Sequence, residues 1–170
     1  MKTSKSFIKD ILEVIISVAI ISFILLKFIL MPCVVNGSSM YPTLENKEIG
    51  YSFIFTKSIS INRFDIAVLK VDDIEDDKLL VKRVIGLPNE TVEYKYNKLY
   101  INGEYIEETF LNNTITEDFK IVLKDDEYFC LGDNRSNSKD SRFYGPFNYD
   151  DFKATKFFVI YPFNKFGIKK

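Results

Sequence analysis

The sequence predicts a mainly β protein, built from antiparallel strands behind one N-terminal transmembrane helix. Three observations predict it. Residues Ile11 to Met31 are apolar except for Glu13, Ser17, Ser22 and Lys27. Beyond Pro32 the pattern changes to short runs of β-branched and aromatic residues, punctuated by turn signals. No helical segment alternates with those runs, which argues against a parallel βαβ sheet. A chain of 170 residues holds one domain of ordinary size plus whatever its termini carry.

The helix comes first. The 21 residues from Ile11 to Met31 would rise roughly 31 Å, about the thickness of a hydrocarbon core. Glu13 and Lys27 lie near the ends, where a lysine can extend its ammonium to the headgroups, and Pro32 closes the segment. Lys2, Lys5 and Lys9 precede it, so the positive-inside rule puts residues 1–10 in the cytoplasm and residues 32–170 outside. A buried core helix and a cleaved signal peptide, with Val35 and Gly37 at small-residue spacing, stay open as alternatives. A lipidated Cys33 fits less well, because bulky Met31 and Pro32 precede it.

The strands follow in order. Ile66 to Leu69, Leu79 to Val81, Thr91 to Tyr94, Leu99 to Ile101 and Phe157 to Tyr161 read as strands. Asn102-Gly103 between Leu99-Tyr100-Ile101 and Tyr105-Ile106 is a two-residue hairpin signal. Gly86 with Pro88-Asn89, and Gly132-Asp133-Asn134, mark further turns. The acidic run Asp72 to Asp77 reads as a solvated loop; it lacks the glycine of a calcium-binding loop.

Composition narrows the chemistry. The chain has no histidine, which excludes Ser-His-Asp and Cys-His machinery, His-ligated zinc and an imidazole base. Its two cysteines, Cys33 and Cys130, are too few for a disulfide scaffold and read as small apolar residues. The net charge of −1 divides into +2 on residues 1–31 and −3 on the remainder, so no nucleic-acid footprint is present. No cofactor and no metal is expected.

Without histidine, the available bases are carboxylates, tyrosine, a free amine and lysine. Lysine is ordinarily protonated, with a pKa of about 10.4, but burial in an apolar strand can lower that by several units. Lys82 lies between Leu79-Leu80-Val81 and Arg83-Val84-Ile85, in such a setting. A lysine base needs a nucleophile, and Gly37-Ser38-Ser39 follows the anchor directly. Each has an ordinary reading: a serine beside glycine as a turn residue, a lysine extending its charge to solvent. The polar run Gly132 to Arg142 reads either as an exposed connection or as a hydrogen-bonded network.

These segments, in this order behind an anchor, resemble bacterial type I signal peptidase, a membrane-bound serine endopeptidase with a Ser-Lys dyad. Ser39-Met40-Tyr41-Pro42-Thr43-Leu44 looks like its S-M-x-P-T-L box, and Arg63-Phe64-Asp65-Ile66-Ala67-Val68 resembles R-G-D-I-V-V. Lys82 to Pro88 reads K-R-V-I-G-L-P, and Gly132 to Arg142 is similar to G-D-N-R-x-x-S-x-D-S-R. The short stretch between Lys82 and Gly132 resembles the compact form common in Gram-positive bacteria.

The resemblance implies an antiparallel β-sheet catalytic domain of that type. It implies Ser39 as nucleophile, Lys82 as general base, Ser138 as the hydroxyl orienting the lysine, and Asp140 with Arg142 as a supporting ion pair. It assigns the oxyanion to the backbone N–H of Ser39, with Gly37 lacking the hydroxyl donor that some relatives carry. Matching also makes Val35, Met40, Val68, Leu80 and Val81 candidates for shallow substrate pockets, and ordinary core is their alternative reading. The implied partners are signal-peptide-bearing preproteins, the lipid bilayer and the secretion translocon. Phe64 in place of a glycine, and Asn89-Glu90 in place of the usual G-D, depart from the family pattern. A non-catalytic anchored β domain that binds exported chains is the competing reading. A self-cleaving Ser-Lys protease like the SOS-type repressors is a third.

Overall fold

The computed structural model describes residues 4–54, 60–72, 77–112 and 114–169. Helix α1, Ser4–Ile29, leads directly into strand β1, Leu30–Val34. The helix therefore ends two residues before the expected boundary at Met31. The residue before a proline is steered from helical toward extended backbone, and Leu30 and Met31 find strand partners in Phe53 and Ser52. Pro32 itself lies in the outermost strand of the sheet, where its missing N–H costs no ladder bond. The predominantly apolar 22-residue stretch Ile8–Ile29 is long enough to cross a membrane, and among the described residues none of its apolar window is buried against the rest of the chain. The core-helix alternative therefore falls.

The remaining strands are β2 Ile49–Phe53, β3 Ile66–Asp72, β4 Asp77–Gly86, β5 Thr91–Lys95, β6 Lys98–Ile101, β7 Glu104–Ile106, β8 Phe119–Val122, β9 Glu127–Leu131, β10 Phe147–Asn148, β11 Phe152–Tyr161 and β12 Gly167–Lys169. A one-turn helix α2, Ser141–Tyr144, follows β9. All described pairings are antiparallel. An eight-stranded sheet runs β1-β2-β11-β3-β4-β9-β10 with β12 beside β11, and a four-stranded sheet runs β7-β6-β5-β8.

Each expected strand is present, and so is the hairpin at Asn102-Gly103, where both residues have positive φ. A second hairpin of the same kind joins β5 to β6 through Tyr96 and Asn97, at φ 52° and 58°. It carries no glycine, so the sequence signal was weaker. Of the acidic run, Asp72 and Asp77 pair as the last rung of β3 and β4, while residues 73–76 lie outside the described part of the structure. Strict alternation on β5 turns Val92 and Tyr94 inward, where they pack with Leu99, Phe129 and Leu131 beneath the small sheet. A separate cluster of Val35, Met40, Leu44, Ile66, Phe157 and Val159 supports the loop that follows β1.

Candidate functional site

The loop from Val35 to Glu48 leaves β1 and returns into β2. Its neck is closed by Val35 N donating to Glu48 O and Lys47 N donating to Val35 O. Gly37 has φ +97°, a left-handed conformation that favours glycine, and its amide donates to Asn46 Oδ1. That backbone requirement explains why a glycine stands where a hydroxyl donor would otherwise be useful. Met40 and Leu44 are buried and anchor the loop to the core, leaving Ser39 half-buried at its crest.

Lys82 reaches the same point from β4. Its side chain is buried, with the residue only 3% exposed, and Nζ donates to Ser39 Oγ across 2.7 Å. Burial is the largest influence on the ammonium and outweighs the opposing attraction of Asp140 and Asp133, so the pKa falls from 10.5 to about 8. Among the described residues nothing accepts a hydrogen bond from the Ser39 amide.

The segment Gly132 to Arg142 wraps the other side of the serine. Asn134 N donates to Ser39 O at 3.0 Å, Asn134 Nδ2 donates to Ser38 O, and Asn137 Nδ2 donates to Ser38 Oγ. Arg142 grips Asp140 with Nε and Nη2 at 2.9 and 2.8 Å, and Gly132 N donates to Asp140 Oδ2. Burial alone would push the Asp140 carboxyl up; the hydrogen bonds from Arg142 and Gly132, with the Arg142 charge, outweigh it and hold the group below its usual range. Ser138 Oγ is buried without a hydrogen-bond partner among the described residues, Lys82 included. It packs against Gly132, beside Asp140.

A Cβ at position 132 would overlap Ser138 Oγ and the Ser39 carbonyl oxygen. Gly132→Ala is therefore expected to displace the serine. Overpacking of this kind costs about 1–3 kcal/mol. Parallel denaturation and cleavage assays should show a lower midpoint and a larger loss in kcat than in KM.

Ser39 and Lys82 open onto a cleft of about 580 Å³. All five candidate pocket residues, Val35, Met40, Val68, Leu80 and Val81, line it. One wall is the outer edge of β1. The other is the first half of β4, which pairs with β3 through Arg83 and with β9 only from Arg83 onward. Among the described residues, two strand edges without further partners thus border one cleft.

Sequence reasoning missed the charged core behind Ser39 and Lys82. Arg83 donates Nε and Nη2 to Asp133 at 2.8 and 2.6 Å, both side chains fully buried, and Thr43 Oγ1 also donates to Asp133. Arg135 binds Glu108, Tyr94 Oη, Thr116 Oγ1 and the Gly132 carbonyl. Arg63 forms a two-pronged pair with Glu90. The signal was available in the density of charges within the four boxes. Phe64 resolves one departure: it has φ +69°, so it adopts backbone that suits the family's glycine, while its carbonyl accepts from Arg83 Nη1. Asn89, at φ +65°, does the same.

A family model described as "Signal peptidase, peptidase S26" matches residues 8–161. The chain belongs to the signal peptidase family S26. Among curated relatives, signal peptidase I S of Bacillus subtilis is 40% identical over 174 residues, covering 92% of both chains. Signal peptidase I of Bacillus amyloliquefaciens is 38% identical, covering 96% of this chain and 94% of its own. Signal peptidase IB of Staphylococcus aureus is 35% identical, covering 93% of both. A crystal structure of a signal peptidase I from Enterococcus faecalis V583 aligns with a TM-score of 0.50 at 34% identity, over 56% of this chain and 95% of that one. The family membership makes this chain a protease of the signal peptidase I class, in agreement with its antiparallel β architecture and single apolar N-terminal helix.

Proposed function

We propose that this chain is a membrane-anchored serine endopeptidase that removes N-terminal signal peptides from exported preproteins with a Ser39–Lys82 dyad. The observation that carries the reading is the 2.7 Å contact between Lys82 Nζ and Ser39 Oγ at the base of an apolar cleft. Neutral Lys82 takes the Ser39 proton as Oγ attacks the scissile carbonyl, and the unengaged Ser39 amide donates to the oxyanion. The protonated lysine gives its proton to the leaving amine, which breaks the peptide bond and leaves an acyl-enzyme. Lys82 then deprotonates a water, whose attack releases the signal peptide and regenerates Ser39. Asp140, gripped by Arg142 and by the Gly132 amide, fixes the segment that backs the serine. Ser138, packed against Gly132 beside that carboxylate, would orient the lysine through this packing, since it makes no hydrogen bond to Nζ.

The substrate enters extended, as an added strand between the edges of β1 and β4, with its small side chains against Val35, Met40, Val68, Leu80 and Val81. The helix Ile8–Ile29 anchors the chain, its lysine-bearing N-terminus in the cytoplasm and the β domain outside, next to the translocon. Because β1 begins at the residue after α1, this topology holds the cleft near the outer membrane surface. The test is incubation of the full chain with a signal-bearing preprotein. One cut after the signal segment is expected; binding without product would support the non-catalytic reading, and self-cleavage alone the repressor-like one.

The lysine also sets the pH dependence. Below about 8 it is protonated and cannot act as the base, so activity should rise with pH and level off above that value. Each pH unit on the acid side should cost about tenfold in kcat/KM until folding itself fails. A flat profile between pH 6 and 9 would remove Lys82 from that role.

A further inference from the structure

On the far side of Arg83 from its carboxylate partner lies a second cavity, of about 500 Å³. Phe64, Phe110 and Ile168 supply apolar wall, and Arg63, Lys156 and Lys169 supply cations. Arg63 is neutralised by Glu90, and Arg83 by Asp133 with its guanidinium 3.8 Å from the Phe110 ring centre. Lys156 and Lys169 are half-buried and have no ion-pair partner among the described residues. The one carboxylate in the described lining, Asp65, accepts from Asn62 N and Nδ2. Two ammonium groups against one lining carboxylate leave a net positive charge beside aromatic wall, which suits an anion attached to an apolar body.

The sheet register says where that cavity stands. Leu30, the first residue after α1, pairs with Phe53, which pairs with Thr155. Met31 pairs with Ser52, Ser52 with Phe157, and Phe157 with Lys169. Lys156 is the extra residue of the bulge between those two rows, with φ +59°. Both lysines therefore share the level at which the chain leaves the apolar helix. Lys156 and Phe64 are also two large residues held at positive φ on the rim of one cavity.

We propose that this cavity binds the phosphate of an anionic phospholipid, with Lys156 and Lys169 on the phosphate and Phe64, Phe110 and Ile168 against the start of the acyl chains. The proposal rests on the membrane-anchored reading. Bound lipid would cover the Phe110 face of Arg83, the residue next to Lys82, and so couple bilayer composition to the arrangement behind the dyad.

The test is amine-reactive footprinting of the full chain, read by mass spectrometry, in nanodiscs of phosphatidylcholine with increasing phosphatidylglycerol. Lys156 and Lys169 should lose labelling several-fold as phosphatidylglycerol rises, while Lys95 and Lys98 on the small sheet stay unchanged. A lysine at an anionic surface contributes about 1 kcal/mol, so Lys156→Gln should raise the phosphatidylglycerol needed to half-protect Lys169 by about fivefold. Equal labelling in both lipids overturns the proposal. Protection by inorganic phosphate in pure phosphatidylcholine discs overturns it too, by assigning the site to a soluble anion. If the anchoring reading fails instead, the chain elutes free of discs of either composition.

Discussion

Ser39→Ala and Lys82→Ala should each lower kcat for preprotein cleavage at least about a thousandfold, and the double variant should be no worse than either alone, because in the proposed mechanism nucleophile and base act as one unit. Stability should move in the other direction for one of them. Holding Lys82 at about 8 rather than 10.5 disfavours the folded state by about 3 kcal/mol where the lysine is charged in both the folded and unfolded states. That cost is fully present below pH 8, shrinks as pH rises, and is gone above about 10.5. Lys82→Met keeps the length and apolar stem of the side chain. It should therefore unfold at higher denaturant than the parent at pH 7, with the advantage fading toward pH 10. Retained turnover in either single alanine variant would end the dyad assignment; a Lys82→Met chain no more stable than the parent would say that the amine is better solvated than its burial indicates.

The legible part of this molecule was what rests on local pattern. The spanning length of the helix, the alternation in Thr91 to Tyr94, and the Asn102-Gly103 turn are each set by residues close in sequence, and each is present in the fold. Val35, Met40, Val68, Leu80 and Val81 all line one cleft, although only Met40 and Val68 belong to the four boxes. What sequence alone could not give was direction. Arg83 reads in the sequence as a like charge crowding Lys82. In a strand, however, successive side chains leave opposite faces, so Arg83 points to Asp133 and Phe110 while Lys82 points to Ser39. The end of α1 was misjudged for a related reason. Apolar character continues through Met31, and only the pairing of Leu30 and Met31 with β2 decides that they leave the helix. Ser138, expected to orient the lysine, makes no hydrogen bond to it and packs against Gly132 beside Asp140.

The largest effect away from the dyad should come from Asp133→Ala. Arg83 and Asp133 are fully buried, and the carboxylate takes two hydrogen bonds from the guanidinium and one from Thr43. Removing it strands a guanidinium in the interior, a loss of about 3–5 kcal/mol in comparable buried pairs, and leaves the Thr43 hydroxyl without its acceptor. Thr43 belongs to the loop that carries Ser39, and Asp133 adjoins Gly132, so activity should fall with stability rather than after it. Lys120→Ala is the contrast: its pair with Glu93 is largely exposed and should change stability by less than about 1 kcal/mol. Replacing both partners, Arg83→Met with Asp133→Leu, removes the stranded charge and should recover part of the stability lost in Asp133→Ala. It should not recover activity, because the Thr43 hydroxyl would then lose both of its partners, Asp133 and Arg83. Chemical denaturation of the three variants beside the parent, with cleavage measured on the same samples, separates these outcomes. Equal losses for Asp133→Ala and Lys120→Ala would mean that the buried pair contributes no more than a surface one.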